Sequence, residues 1–317
     1  MLVFTARKDT AADETTDRND LRTVTGPGAR VRQMDDTDLE RILELRSVVR
    51  WSADPRAFDL LRGVRAARWA VAEAPSGDLA GMVGAVPLGD IGILCHLAVR
   101  EGYRGLGLGA LLSSWAVTYL RSRGTRTVRL YSTLQAEGLY RSLGFEEVTP
   151  RTVYRLERGP QKFRMGGRVD GHRVETLAFG DLPELYGVDH WSFGGDRSAL
   201  LFATLRLHPG RSLIARDATG RIKGYLIQTT MGRATRIGPF LASTPDVARL
   251  LLTHALQATG RAPVHVTVPG PAGCQAHTLL QELGFEGTQD RLRMELGKKS
   301  AGPTGLAHYG TTPYLAT

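Results

Sequence analysis

"VREGYRGLGLGALL", residues 99 to 112, places four glycines between Val99 and Gly109 and runs directly into an apolar stretch with helical spacing. Ahead of it, "IGILCHLAV" (91–99) is an unbroken apolar run, which predicts a strand buried on both faces. Strand, glycine turn and helix in that order make an anion site. The first N–H groups of a helix have no internal partner and carry about half a positive charge. Glycine reaches positive φ without strain and lets a phosphate approach the backbone, while Arg104 adds a permanent cation with a fork of donors. Two other phosphate loops are excluded. Residues 109–111 are Gly-Ala-Leu, not the Gly-Lys-Ser/Thr of a triphosphate loop, and "TVRLYSTLQ" (127–135) ends in no acidic residue for a dinucleotide fold.

The chain contains this region twice. Val31, Asp38 and Leu39 recur as Val174, Asp181 and Leu182, and Gly77, Gly81 and Gly89 recur as Gly220, Gly224 and Gly232, each 143 positions on. "AEGLYRSLGFE" (136–146) meets "AHTLLQELGFE" (276–286) at an offset of 140. Shared glycines and apolar positions at near-constant spacing identify a duplication. In the second copy "TPDVARLLL" (244–252) stands opposite "RGLGLGALL" (104–112), so every glycine of the loop is lost while the surrounding pattern survives. The glycines therefore serve a ligand and not the fold. Pro245 lacks an N–H and Asp246 would repel an anion.

The R-x-x-G-x-G/A pattern of Arg104, Gly107 and Gly109 resembles the signature of the GNAT acyltransferases. "HLAVREGYRGLGLG" (96–109) is similar to that family's fourth strand and loop. "AEGLYRSLGF" is similar to its A-x-x-L-Y-x-x-x-G-F motif, with Thr133 where Asn is usual. The resemblance covers about residues 30 to 157 by motif and about 173 to 296 by pattern and duplication. It implies an α/β fold of two tandem GNAT-like domains, each a mixed, mostly antiparallel sheet flanked by helices. Acyl-CoA, acetyl-CoA or a longer chain, is the implied co-substrate. Arg104, Gly105, Leu106, Gly107, Leu108 and Gly109 are expected to hold its pyrophosphate, and the backbone of Leu97, Ala98 and Val99 its pantetheine. Tyr140 matches the family's acid, and Leu280 replaces it in the second copy.

Two histidines compete for the base. His96 precedes the pantetheine-binding stretch where the family often has an acidic side chain. His190 lies in "VDHWSFGG" (188–195), where Asp189 would orient it and Trp191 would offer a platform for a sugar or aromatic acceptor. The remaining histidines have no ligand spacing, so no metal is expected. Neither Cys95 nor Cys274 has a thiolate-activating context, which argues against an acyl-cysteine intermediate.

Composition bounds the rest. The 317 residues suffice for two cores. No run approaches the ~20 apolar residues of a membrane span, no secretory signal is readable, and two cysteines exclude a disulfide framework, so a cytoplasmic location is the default. The net charge of +9 comes from scattered arginines without interleaved aromatics, which argues against nucleic acid. The expected division is a disordered leader (1–28), a first domain (29–160), a linker (161–172), a second domain (173–297) and a tail (298–317). The expected reaction is acyl transfer to a primary amine of a bulky small molecule, such as the aminosugar of a glycopeptide antibiotic. An aminoglycoside-type resistance enzyme, a protein or tRNA acetyltransferase, and a non-catalytic acyl-CoA sensor share the same motifs.

Overall fold

A computed structural model describes residues 24–26, 29–49, 51, 60–61, 64, 66–157, 171–298 and 305–312. The first half contributes strands β1 (Val24–Gly26), β2 (Ala29–Gln33), β3 (Arg68–Glu73), β4 (Leu79–Leu88), β5 (Ile91–Val99), β6 (Thr127–Thr133) and β7 (Glu146–Leu156). Its helices are α1 (Leu39–Val48), α2 (Leu108–Ser122) and α3 (Glu137–Ser142). The second half contributes β8 (Arg173–Thr176), β9 (Leu213–Arg216), β10 (Ile222–Met231), β11 (Ala234–Ala242), β12 (Val264–Pro269), β13 (Glu286–Gly297) and β14 (Ala307–Gly310). Its helices are α4 (Leu182–Phe193), α5 (Ser198–Leu207), α6 (Pro245–Thr259) and α7 (Gln275–Glu282).

The fold class is the expected one, α/β with mostly antiparallel pairing, but the halves do not keep separate sheets. One sheet runs β1-β2-β3-β4-β5-β6-β13-β7-β12-β11-β10-β9-β8, with β14 added on β11. Each half gives its last long strand to the other. β13 pairs with β6 from Arg291↔Thr133 to Gly297↔Thr127, and β7 pairs with β12 from Val264↔Leu156 to Pro269↔Arg151. The two exchanged strands then pair antiparallel with each other at the centre.

β3 and β4 pair as an antiparallel hairpin, and β4 is buried almost throughout because helices cover both of its faces. On one face α2 sets Leu108, Leu112, Trp115, Ala116 and Leu120 into a core with Val128, Leu130, Leu292 and Met294. Apolar residues at i, i+4, i+7 and i+8 form that stripe. The duplicated helix α6, capped by Thr244 with Pro245 in its first turn, builds the matching core of the second half. On the opposite face lies α1. There Phe193 and Leu200, from the second half, join Ile42, Leu45 and Ile93 in one cluster.

Several local expectations are corrected. Val24–Gly26, assigned to the leader, pair with Ala29–Val31 as a small hairpin. Asp38 stands at the cap position of α1 but makes no cap bond there. It closes a capping box with Asp35 one turn earlier and is buried against Arg32 at 2.6 Å. Most of the linker, residues 161–170, lies outside the described residues, as do residues 1–23 of the leader. In the tail, Ala307–Gly310 form β14 and join the sheet on β11.

Candidate active site

β5 and β6 run parallel but pair only at their starts, from Ile91↔Thr127 to Ile93↔Arg129. Beyond Ile93 they diverge, and a cleft opens between Leu94–Val99 and Leu130–Thr133. At the same level β5 bulges against β4, where pairing jumps from Gly84↔Cys95 to Met82↔Ala98. His96 forms the bulge with φ of 55°, the one non-glycine residue with positive φ among the described residues. A bulge frees backbone groups from the ladder and re-aims side chains, and this one stands at the cleft.

The glycine loop sits at the mouth. Gly105 and Gly107 have φ of 78° and 81°, and a Cβ at either would meet nothing within 4 Å. Gly107 caps α2, and among the described residues no N–H from 105 to 110 donates to a backbone carbonyl. The loop therefore offers a row of donors into open space, which fits a diphosphate. Exposed Arg104 is tethered beside it by Nε donating to the Val99 carbonyl at 3.1 Å. Leu106 is exposed, whereas Leu108 is buried in the core and a Cβ at Gly109 would come within 3.1 Å of Leu139. Those last two anchor the helix.

Tyr140 on α3 is buried, edge-on to Phe145 at 5.7 Å. Burial, with Cys95 nearby, holds its hydroxyl protonated well above the usual tyrosine range, while Arg291 acts in the opposite sense. Cys95 of β5 and Arg291 of β13 are thus near enough to Tyr140 of α3 to bear on its hydroxyl. Burial raises the Cys95 thiol to about 12, so it carries no thiolate near neutral pH. His96 is buried beside Trp51, at 6.2 Å between ring centroids, and Arg46 covers Trp51 at 5.6 Å.

The Asp-His-Trp run of α4 is not brought to this cleft. Successive helical residues point about 100° apart, so the three face different surroundings. Asp189 is buried and takes Arg197 in a fork, from Nε at 2.8 Å and Nη2 at 2.7 Å, and also accepts from Tyr225. Arg197 in turn reaches Thr312 at 2.7 Å. Asp189 is consequently the counter-ion of Arg197 and not the orienter of His190 or a contact for a substrate. His190 and Trp191 are exposed on the surface, edge to face at 5.7 Å. The loop after α4 docks Asp196 N–H on the Leu88 carbonyl at 2.8 Å, beside the start of β5. His96 and the glycine loop lie at the other end of that strand.

The second half has the same divergence, between β11 and β12 after Ile237↔Val266. There β14 fills it. Leu241↔His308 and Ala242↔Ala307 pair antiparallel, Thr311 N–H donates to the Thr267 carbonyl at 2.8 Å, and Tyr309 packs on Phe240 at 5.3 Å. Leu280, in the position of Tyr140, is buried in apolar surroundings. Arg291 and Arg293, on the strand that borders β6, are residues that motif reading missed. The alternation "RLRMEL" (291–296) marks a two-faced strand, but which cleft it would border depends on the exchange of β13.

The family comparisons agree with this geometry. A model described as Acetyltransferase (GNAT) family matches residues 37–145, and one described as Acetyltransferase (GNAT) domain matches 186–306. The chain carries two GNAT domains in tandem. It is 26% identical over 211 residues to the Bacillus subtilis protein named uncharacterized N-acetyltransferase YitH, covering 66% of this chain and 71% of that one. Its fold matches a candidate acetyltransferase from Pyrococcus horikoshii, with a TM-score of 0.74 at 20% identity over 96% of this chain and all of the other. It also matches a tandem GNAT protein of the clavulanic acid biosynthesis pathway, with a TM-score of 0.60 at 16% identity, covering 85% and 98%. The first GNAT domain keeps an open cleft with its loop, and the second has its cleft closed by the chain itself. Among the described residues no helix is long and apolar enough to cross a membrane, and no group of three or more His, Cys, Asp and Glu is placed to hold a metal ion.

Proposed function

We propose that the first GNAT domain binds one acyl-CoA and transfers its acyl group to a primary amine of a small molecule. The observation that carries this reading is the coincidence, in one cleft, of the open glycine loop, the bulged edge of β5 and a buried, protonated Tyr140. The bound acyl-CoA supplies the thioester carbonyl. The N–H groups of residues 105 to 110 and Arg104 hold the diphosphate, and the free edge of β5 at Leu97–Val99 aligns the pantetheine. The amine forms the new C–N bond as the C–S bond breaks. Tyr140, which stays protonated at neutral pH, gives its proton to the departing sulfur. His96, at the bulge, is the better placed of the two histidines to take the proton from the amine.

Titration calorimetry with acetyl-CoA and decanoyl-CoA, followed by thiol release against a panel of amines, tests the reading. One equivalent of acyl-CoA is expected per chain, with affinity lost by more than about a hundredfold in the Gly107→Asp, Gly109→Asp double variant. Two carboxylates would then stand where an anion is to bind. Undiminished binding by that variant removes the reading. Tighter binding of the decanoyl ester indicates a long-chain donor.

A further inference from the structure

Phe193 ends α4 in the second domain, yet its ring is buried in the core of the first, in one cluster with Leu88, Ile91 and Ile93. Two glycines permit this close docking. Gly194 closes the helix with φ of 82°, and a Cβ at Gly195 would stand 2.7 Å from the Leu88 carbonyl and 3.3 Å from Cβ of Ile91. The helix end is thus pressed onto the turn that leads into β5. Across the base of the cleft stands Arg129. Val128 and Leu130 point into the core under α2, so Arg129 between them points to the opposite face of the sheet, the one that carries Phe193. Its guanidinium lies 5.2 Å from the centre of the Phe193 ring, and Glu295, its cross-strand neighbour on β13, takes it at 2.7 Å. Ile93↔Arg129 is the last rung that joins β5 to β6. One ring from the second domain is therefore packed at the rung beyond which the strands part.

The ring is itself fixed. The Arg197 guanidinium lies 4.4 Å from its centre, and Arg197 is locked by the Asp189 fork, by Tyr225 at 3.1 Å and by Thr312 of the tail at 2.7 Å. Two buried guanidiniums, each paired with a carboxylate, thus share one aromatic ring, whose electron-rich face offsets part of their desolvation. An aliphatic side chain of similar bulk would fill the space without offering such a face. The rung matters to the cleft. Each further residue pair that joined β5 to β6 would shorten the opening by about 3.3 Å. The bulge at His96 lies three residues beyond Ile93, so a shift at the rung reaches it and the edge at Leu97–Val99.

From this juxtaposition we infer that Phe193 is a positioning residue for the first domain: braced by Arg197, its ring fixes the rung at which β5 and β6 separate and so holds the thioester-aligning edge of β5 in place opposite Tyr140. The inference rests on the acyl-transfer reading above and gives the second domain a part in that reaction through the shape of the first cleft. Alignment governs rate steeply, since a misplacement of about 1 Å costs on the order of a hundredfold. The loop that would hold the diphosphate follows the other end of β5, so holding the acyl-CoA and aligning it are separable.

The test compares Phe193→Leu, Phe193→Tyr and Gly195→Ala in the full chain, with acetyl-CoA and the amine that thiol release identifies. Phe193→Leu, which keeps apolar bulk, is expected to lower kcat about tenfold or more while KM for acetyl-CoA moves less than about twofold. Phe193→Tyr, which keeps the ring, should retain more than about half of kcat. Gly195→Ala keeps the ring but forces the helix end off Leu88, and should lower kcat as the leucine does; it decides alone should the leucine variant not fold. Unchanged kcat in Phe193→Leu, a raised KM for acetyl-CoA with kcat unchanged, or equal losses in the leucine and tyrosine variants overturns the inference. If no amine releases thiol, hydrogen exchange of the same variants decides. Peptides 91–99 and 127–133 should exchange about tenfold faster or more in Phe193→Leu, with the α6 peptide 245–259 unchanged. Equal acceleration in all three, or none, ends it. Failure of the parent chain to bind acetyl-CoA is read in the separate titration and removes the acyl-transfer reading itself.

Discussion

The two clefts of this chain descend from one, and they differ in what stands between the diverging strands. In the first domain nothing from the described chain bridges Leu94–Val99 to Leu130–Thr133, and the glycine loop waits at the mouth. In the second, β14 bridges β11 and β12, Pro245 and Asp246 replace the loop, and Leu280 replaces the tyrosine. Two parallel strands that part company leave backbone N–H and C=O groups that need partners. A ligand can supply them, or another segment of chain can. One fold has kept both solutions side by side, which separates what the architecture requires from what a ligand requires.

Removing residues 305–317 tests this contrast most severely. The truncated chain loses the burial of Leu306 and Tyr309 and the Thr312 partner of Arg197, and is expected to lose about 5 kcal/mol of stability in denaturant titration. Acyl-CoA binding should nevertheless stay at one equivalent, because the loop that would hold a second is gone. A second equivalent in the titration would break the comparison.

Acid should loosen the closed cleft first. Burial holds His308 of β14 at about 4, well below its ordinary 6.5, against the contrary pull of its hydrogen bond to the Ser192 carbonyl. The unfolded state therefore takes up a proton from about pH 6.5 downward while the folded state resists it until about 4. Stability present above that window is lost across it, by roughly 3 kcal/mol at its lower end. His308→Asn should flatten this part of the pH–stability profile. A profile unchanged by that substitution would show that β14 is not held in the way described.

Tyr140→Phe sharpens the contrast with the smallest cost. It removes one oxygen from a site where the second domain already has leucine, so thermal stability should barely move. Thiol release at saturating acceptor is expected to fall about a hundredfold with acetyl-CoA affinity unchanged.

Much of this was legible in the chain before folding. The loop with Arg104, the duplication, the position of Tyr140 and the loss of both in the second copy followed from local spacing and from the physics of helix ends. His96 was visible as a strand histidine, though not as the residue that forms the bulge. What stayed hidden shares one property, namely dependence on contacts distant in sequence. The partner of Asp189 is Arg197, and nothing in "VDHWSFGGDR" says that the carboxylate turns inward while His190 turns outward. The tail "GLAHYGTT" reads as turn residues around one tyrosine until a gap between β11 and β12 exists to receive it. The arginines of β13 alternate plainly, but their neighbours belong to the other half.

The exchange of β7 and β13 also governs how the molecule is made. A chain emerging from the ribosome finishes β7 long before β13 exists, so the first half must wait with an edge of β6 exposed or pair with the wrong neighbour. Maturation is a late, long-range event in which both halves close together. Once closed, the two copies are laced through each other, so a protease cut between residues 157 and 171 would sever the polypeptide without parting the sheet. The single continuous gene serves assembly, by delivering both halves in equal number and in reach of each other, more than it serves to hold the finished protein together.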